Sequence, residues 1–157
     1  MDELSLKNKK TVMLDTCFII HELLGQRETK LLKFCEENTV LTTSFNVEEL
    51  KHVIKKLGHE KKKIKHFLEK SNIQIIEVPV SPGDREKEKQ YTNNFDPKLL
   101  EKIHDPSDAV LVVAAINTGS DILTRDKHHL FTTQLSQELK EYGLNVYNDI
   151  HTYESMI

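Results

Sequence analysis

Apolar positions along the chain fall into five short runs with strand-like character: TVML (11–14), TVLTT (39–43), IQIIEV (73–78), DILT (121–124) and LNVY (144–147). Between them the spacing changes to that of helices. Val47, Leu50, Val53, Ile54 and Leu57 recur on one helical face after the second run, and DAVLVVAAI (108–116) is apolar almost all round, as suits a helix enclosed within a domain. Strands alternating with helices predict an α/β protein, a three-layer α/β/α sandwich with a central, mostly parallel sheet of about five strands. One stretch breaks the alternation. PVSPGDREKEKQYTNNFDP (79–97) is rich in Pro, Gly and mixed charge and reads as a surface excursion, partly helical. At 157 residues the expectation is one domain, 1–157, with a core over about 10–148. A C-terminal segment, 149–157, is expected either to trail as a tail or to pack as a short element.

The first run carries an anomaly. TVMLDTCFII places Asp15 inside a segment that otherwise asks to be buried, and an unpartnered buried carboxylate costs several kcal/mol or titrates to neutral. Ligands of open α/β sheets bind beyond the carboxyl ends of the strands, and Asp15 follows TVML at that edge. Asp126 follows DILT at the same edge. Asp121 opens that strand and, at roughly 3.3 Å per residue, lies at the opposite edge. On the helix after the second strand, Glu49 falls just beyond the Val53 side of the apolar arc, while Glu48 points to water. Glu49 also fits a capping box with Asn46 as the cap, and the two roles can coexist. In HDPSDAV, Asp105 before Pro106 reads as an N-cap, which leaves Asp108 at the third helical position. Asp108 shares its face with Leu111, Val112 and Ala115, so its burial at a helix N-terminus favours a site role over a capping one.

Four carboxylates, Asp15, Glu49, Asp108 and Asp126, are thereby expected to converge on one sheet edge. They repel one another unless a cation neutralises them, and oxygen ligands favour the hard cations Mg²⁺ or Mn²⁺. Such a cluster supports phosphodiester hydrolysis. Thr16 and Ser44 have hydroxyls suited to orienting ligands or to forming turns and caps.

Composition changes this picture little. The net charge of −3 excludes a global basic field, so nucleic-acid binding must rest on local patches. No apolar run approaches the ~20 residues of a membrane span, and MDELSLKNKK has no signal-peptide core, so a cytoplasmic protein without a membrane partner is expected. Cys17 and Cys35 lie in apolar segments and read as reduced core thiols.

The segments VMLDTCFII, SFNVEEL, SDAVLVVAA followed by NTG, and DILTRDKHHL stand in the order typical of PIN-domain ribonucleases. The chain resembles that family over roughly residues 10–148. The resemblance implies a PIN-like fold and a Mg²⁺- or Mn²⁺-dependent endoribonuclease. Its metal ligands and catalytic acids would be Asp15, Glu49, Asp108 and Asp126; beside them, Thr16, Ser44, Thr124 and Arg125 are candidates for a supporting role. It further implies RNA as substrate and either the toxin of a toxin–antitoxin pair or an RNA-processing nuclease. An antitoxin or other protein partner and a homodimer follow from the resemblance alone. The alternative is a non-catalytic RNA-binding or protein-docking module on the same fold.

Other patterns carry less. Residues 51–70 hold eight lysines against Glu60 and Glu69. Lys61, Lys62, Lys63 and Lys65 either track an RNA backbone or form a solvated helix face whose stems cover apolar surface. Tyr91 and Phe95 suit packing onto the body better than base stacking. Arg125 and Lys127 flank Asp126, and either touch the scissile phosphate or balance the acids. His128 and His129 point about 100° apart on a helix and are not expected to bind metal. An aspartyl-phosphate phosphatase of the haloacid-dehalogenase type needs a second Asp where Cys17 stands. A receiver domain needs an acceptor Asp after a middle strand, which TVLTTS and IIEVPV do not supply.

Overall fold

A computed structural model of the protein describes residues 11–58, 61–126 and 133–156. Its sheet has five strands, β1 (Thr11–Leu14), β2 (Thr39–Thr43), β3 (Gln74–Ile76), β4 (Ser120–Leu123) and β5 (Val146–Tyr147), in the order β3-β2-β1-β4-β5. Every neighbouring pair is parallel, with Leu14 beside Leu123, Thr43 beside Ile76 and Leu123 beside Tyr147. All five carboxyl ends therefore reach the same edge, as the alternation of strands and helices predicts.

Side chains on alternate strand positions point to opposite faces, so each face needs its own apolar cover. Val12, Leu14, Val40, Leu123 and Tyr147 pack under α1 (Thr16–Leu24), α2 (Glu28–Glu37), α3 (Ser44–Leu57) and α4 (Lys61–Lys70). Met13, Leu41, Ile122 and Val146 pack under α6 (Leu99–Lys102), α7 (Pro106–Thr118) and α8 (Thr133–Lys140). The uniformly apolar α7 is buried from Ala109 to Ala115 because sheet and helices enclose it together. It stops at Gly119, whose left-handed backbone (φ 65°) turns the chain directly into β4.

The excursion contains a regular helix, α5 (Arg85–Phe95), capped by Asp84, whose carboxylate accepts from Lys87 N. Tyr91 and Phe95 pack against the core, as expected of them. Glu88 of α5 is fully buried, accepting from Ser107 Oγ at 2.6 Å and Gly83 N at 3.2 Å. The C-terminal segment carries α9 (Ile150–Met156), with Ile150 and Tyr153 buried. Tyr153 meets Phe34 and Tyr147 edge-on at 5.5 and 5.2 Å. Cys17 and Cys35 are both free thiols. Among the described residues no helix is long and apolar enough to cross a membrane.

Capping at α3 differs from expectation. The cap is Thr43, the last residue of β2, whose Oγ1 accepts from Asn46 N at 3.0 Å. The helix starts three residues earlier than an Asn46 cap would require, so Asn46 and Glu49 form no capping box. Both side chains are released for the sheet edge.

Candidate active site

Asp15 leaves β1 and caps α1 in one residue. Its N–H donates to Leu123 O at 3.0 Å, continuing the β1–β4 ladder, while Oδ1 accepts from Thr16 N at 2.8 Å. Oδ2 accepts from Thr124 Oγ1 at 2.9 Å and from the Cys17 thiol at 2.8 Å. These donors explain how an acid is tolerated within an apolar run. Burial nonetheless pushes the Asp15 carboxyl above its ordinary value, against the pull of its hydrogen bonds. The same desolvation, reinforced by the Asp15 charge, raises the Cys17 thiol to about 12 and keeps it protonated.

Asn46 links the two helix starts. Its Nδ2 donates to Thr16 Oγ1 at 2.9 Å and lies 3.3 Å from Glu49 Oε1 and 3.5 Å from Asp15 Oδ1. Its Oδ1 accepts from Thr43 Oγ1 at 2.5 Å. Thr16 Oγ1 in turn donates to Glu49 Oε1 at 3.1 Å. In the sequence Asn46 reads as a helix cap, and this linking role is not visible there beyond the spacing of three from Glu49, which puts both on one helix face. Glu49 is raised to about 7, first by burial and then by the charges of Asp15, Asp105 and Glu88.

Asp105 caps α7, accepting from Ser107 N at 3.0 Å, and Pro106 occupies the first turn, as the sequence predicts. Asp108 then faces the sheet edge. Burial, the charges of Asp15, Asp126 and Asp105, and a hydrogen bond with Asp126 raise its carboxyl to about 9. Asp126 is set by its own N–H, which donates to Thr124 Oγ1 at 3.0 Å. Thr124 thus holds two of the acids at once.

These elements enclose a cleft of about 400 Å³ lined by Asp15, Thr16, Cys17, Ile20, Glu49, Val53, Asp108, Arg125 and Asp126. Four acids from four separate segments meet there. Asp121 stands at the start of β4 and accepts from Asn145 N at 2.9 Å, away from the cleft. Arg125 donates from Nη1 to Asn148 O at 3.0 Å and from Nη2 to His21 Nε2 at 3.2 Å.

Two groups of candidates fall elsewhere. Ser44 exchanges hydrogen bonds with the backbone of Val78, accepting from its N at 2.9 Å. It lines a separate depression of about 320 Å³ with Glu48, Glu77, Asp84 and Lys87, so Glu48 faces that depression. Lys61, Lys62, Lys63 and Lys65 lie on α4, outside the cleft lining. Lys127, His128 and His129 fall outside the described residues.

Among the described residues, no three His, Cys, Asp or Glu side chains are gathered tightly enough to hold an ion by direct contacts alone. The donor set nonetheless suits a hard cation. It is anionic and all-oxygen, in a cleft with room for the waters that Mg²⁺ retains when only one or two carboxylates touch it.

An α/β/α sandwich with an acidic cleft at the carboxyl edge of a parallel sheet defines the class structurally. The PIN domain family model matches residues 12–132, a span holding all four acids, and the chain belongs to that family, whose members are generally nucleases. Among solved structures it is similar to VapBC2 from Rickettsia felis bound to a DNA fragment from their promoter. That likeness has 17% identity and a TM-score of 0.59, over 88% of this chain and 98% of that one. It is also similar to a domain of a functionally unknown protein from Methanocaldococcus jannaschii, with 20% identity and a TM-score of 0.51, over 89% and 91% of the two chains. At such identities the likeness is one of fold. No curated protein matches the chain in sequence.

Proposed function

We propose that the protein is a metal-dependent endoribonuclease hydrolysing RNA phosphodiester bonds, with Asp15, Glu49, Asp108 and Asp126 as its catalytic acids and Mg²⁺ or Mn²⁺ as cofactor. The observation that carries this is the convergence of four carboxylates in one cleft, where burial and the neighbouring charges raise Glu49 to about 7 and Asp108 to about 9. A divalent cation, when bound, lowers the pKa of an attacking water and offsets charge on the phosphate.

The chain's own residues supply positioning. Thr124 and the backbone of Thr16 fix both oxygens of Asp15, and Asn46 and Thr16 fix Glu49. Asp108 and Asp126 share a hydrogen bond, which needs a proton, and Asp108, raised to about 9, is the acid that holds it. Arg125 adds a positive charge to the cleft wall.

The fold likeness to VapBC2 favours the toxin of a toxin–antitoxin pair, acting in the cytoplasm with a small antitoxin partner, over a general RNA-processing nuclease. Labelled RNA incubated with Mg²⁺, Mn²⁺ or EDTA, and with the Asp15→Asn and Asp108→Asn variants, tests the activity. Cleavage that needs the metal and disappears in both folded variants is the expected result. Equal cleavage by wild type and variants would overturn the proposal, and RNA binding without cleavage would favour a non-catalytic binding module.

A further inference from the structure

His21 has no role in the acid cluster, yet its ring is turned toward an arginine of the cleft wall. It lies on α1, and its Nε2 sits 3.2 Å from Arg125 Nη2. An arginine carries only donors, so His21 must accept through Nε2 and hold its proton on Nδ1. That Nδ1 is buried without a hydrogen-bond partner among the described residues. A buried polar atom left unsatisfied in a native fold calls for an explanation, and holding the guanidinium is the one the geometry offers.

Both described partners of Arg125, the carbonyl of Asn148 and the imidazole of His21, are uncharged. Two of its five N–H groups are thus committed to uncharged acceptors, and among the described residues Arg125 makes no direct ion pair, its charge reaching the Asp149 carboxylate only at longer range. Arg125 precedes Asp126 in the chain and lines the cleft together with four carboxylates. Pairing with one of those acids would cancel its charge, and the two neutral acceptors direct two of its N–H groups elsewhere. Burial together with the Arg125 and Arg27 charges lowers the His21 pKa, which keeps the ring neutral so that one nitrogen can accept.

We infer that Arg125 is an anchor for an RNA phosphate in the cleft, and that His21 is a positioning residue which, with the Asn148 carbonyl, aims its guanidinium. The inference rests on the nuclease reading for the identity of the polyanion but not for its geometry. A bidentate guanidinium matches the two free oxygens of a phosphodiester, whereas an ammonium offers only a point charge.

RNA affinity measured by anisotropy in EDTA, with cleavage constants measured separately in Mn²⁺, tests it. Arg125→Met is expected to weaken RNA binding about tenfold and to lower the salt slope by about one. His21→Phe, which removes the acceptor, should follow in the same direction. The double variant should be no weaker than Arg125→Met alone, because both act through one contact. His21→Gln, which restores an acceptor, should recover most of the affinity. Nitrogen-15 NMR of the wild-type imidazole gives a readout independent of any variant's folding, and the expected tautomer is Nδ1–H. An Nε2–H tautomer, additive losses in the double variant, or unchanged RNA affinity in Arg125→Met would each overturn the inference. Absence of cleavage by wild type, with affinity still dependent on Arg125 and His21, would sink the nuclease reading and leave the anchor standing.

Discussion

Thr124 Oγ1 donates to Asp15 Oδ2 at 2.9 Å, joining the ends of two neighbouring strands across 109 residues of sequence. The same oxygen accepts from Asp126 N. Thr124→Val keeps the shape and removes both bonds, leaving a buried carboxylate oxygen short of a donor. The expected loss is about 1–3 kcal/mol in urea unfolding, together with reduced cleavage. Thr124→Ser, which keeps the hydroxyl, should lie close to wild type in both assays.

Asp108 and Glu49 give the metal-free fold a pH dependence of definite sign. Their ordinary values of 3.8 and 4.5 rise to about 9 and about 7 in the folded protein. The folded state therefore retains protons that the unfolded state has released. Their contribution to stability is full below about pH 4 and is lost as pH rises through 7 and then 9. Thermal melts in EDTA should fall across that window, and saturating Mg²⁺ or Mn²⁺ should flatten the fall.

From sequence alone, Asp15→Asn is the exchange expected to stabilise the metal-free protein by relieving repulsion. The geometry transfers that expectation to Asp108. Asp15 receives hydrogen bonds on both oxygens, which an amide cannot all accept, whereas Asp108 is raised chiefly by burial and like charges. Asp108→Asn should raise the melting temperature in EDTA at pH 8 and the gain should vanish near pH 4. Asp15→Asn should gain less, and both should lose cleavage.

Glu88 ties the excursion to the site. Its carboxylate holds Ser107 Oγ, next to Asp108 in sequence, and Gly83 N. Glu88→Ala should cost about 1–3 kcal/mol for the partners left unsatisfied. Limited proteolysis should then cut within residues 79–97 faster than in wild type.

Lys61, Lys62 and Lys63 open α4, outside the cleft. Reversing all three to Glu should weaken RNA binding and lower the salt slope by about 0.7–0.9 for each phosphate that is no longer neutralised. An unchanged slope would assign them to a solvated face.

The sequence by itself determined the layers, the strand positions and the acids worth watching, because those follow from periodicity and from where a chain leaves a strand. TVML followed by Asp15, and DILT followed by Arg125 and Asp126, place charge at a strand end without any knowledge of neighbours. Helix register likewise separates Glu49 from Glu48. Only the tertiary structure decided which polar groups hold those acids. Asn46 looks like a cap until Thr43 takes that position, and Ser44 looks like a ligand-orienting hydroxyl until the backbone of Val78 claims it. His21 shows nothing in the sequence at all, since its partner lies 104 positions away. Hydrogen bonds at a sheet edge are made between segments distant in sequence. Their geometry is set by how strands align, and no local pattern encodes that alignment.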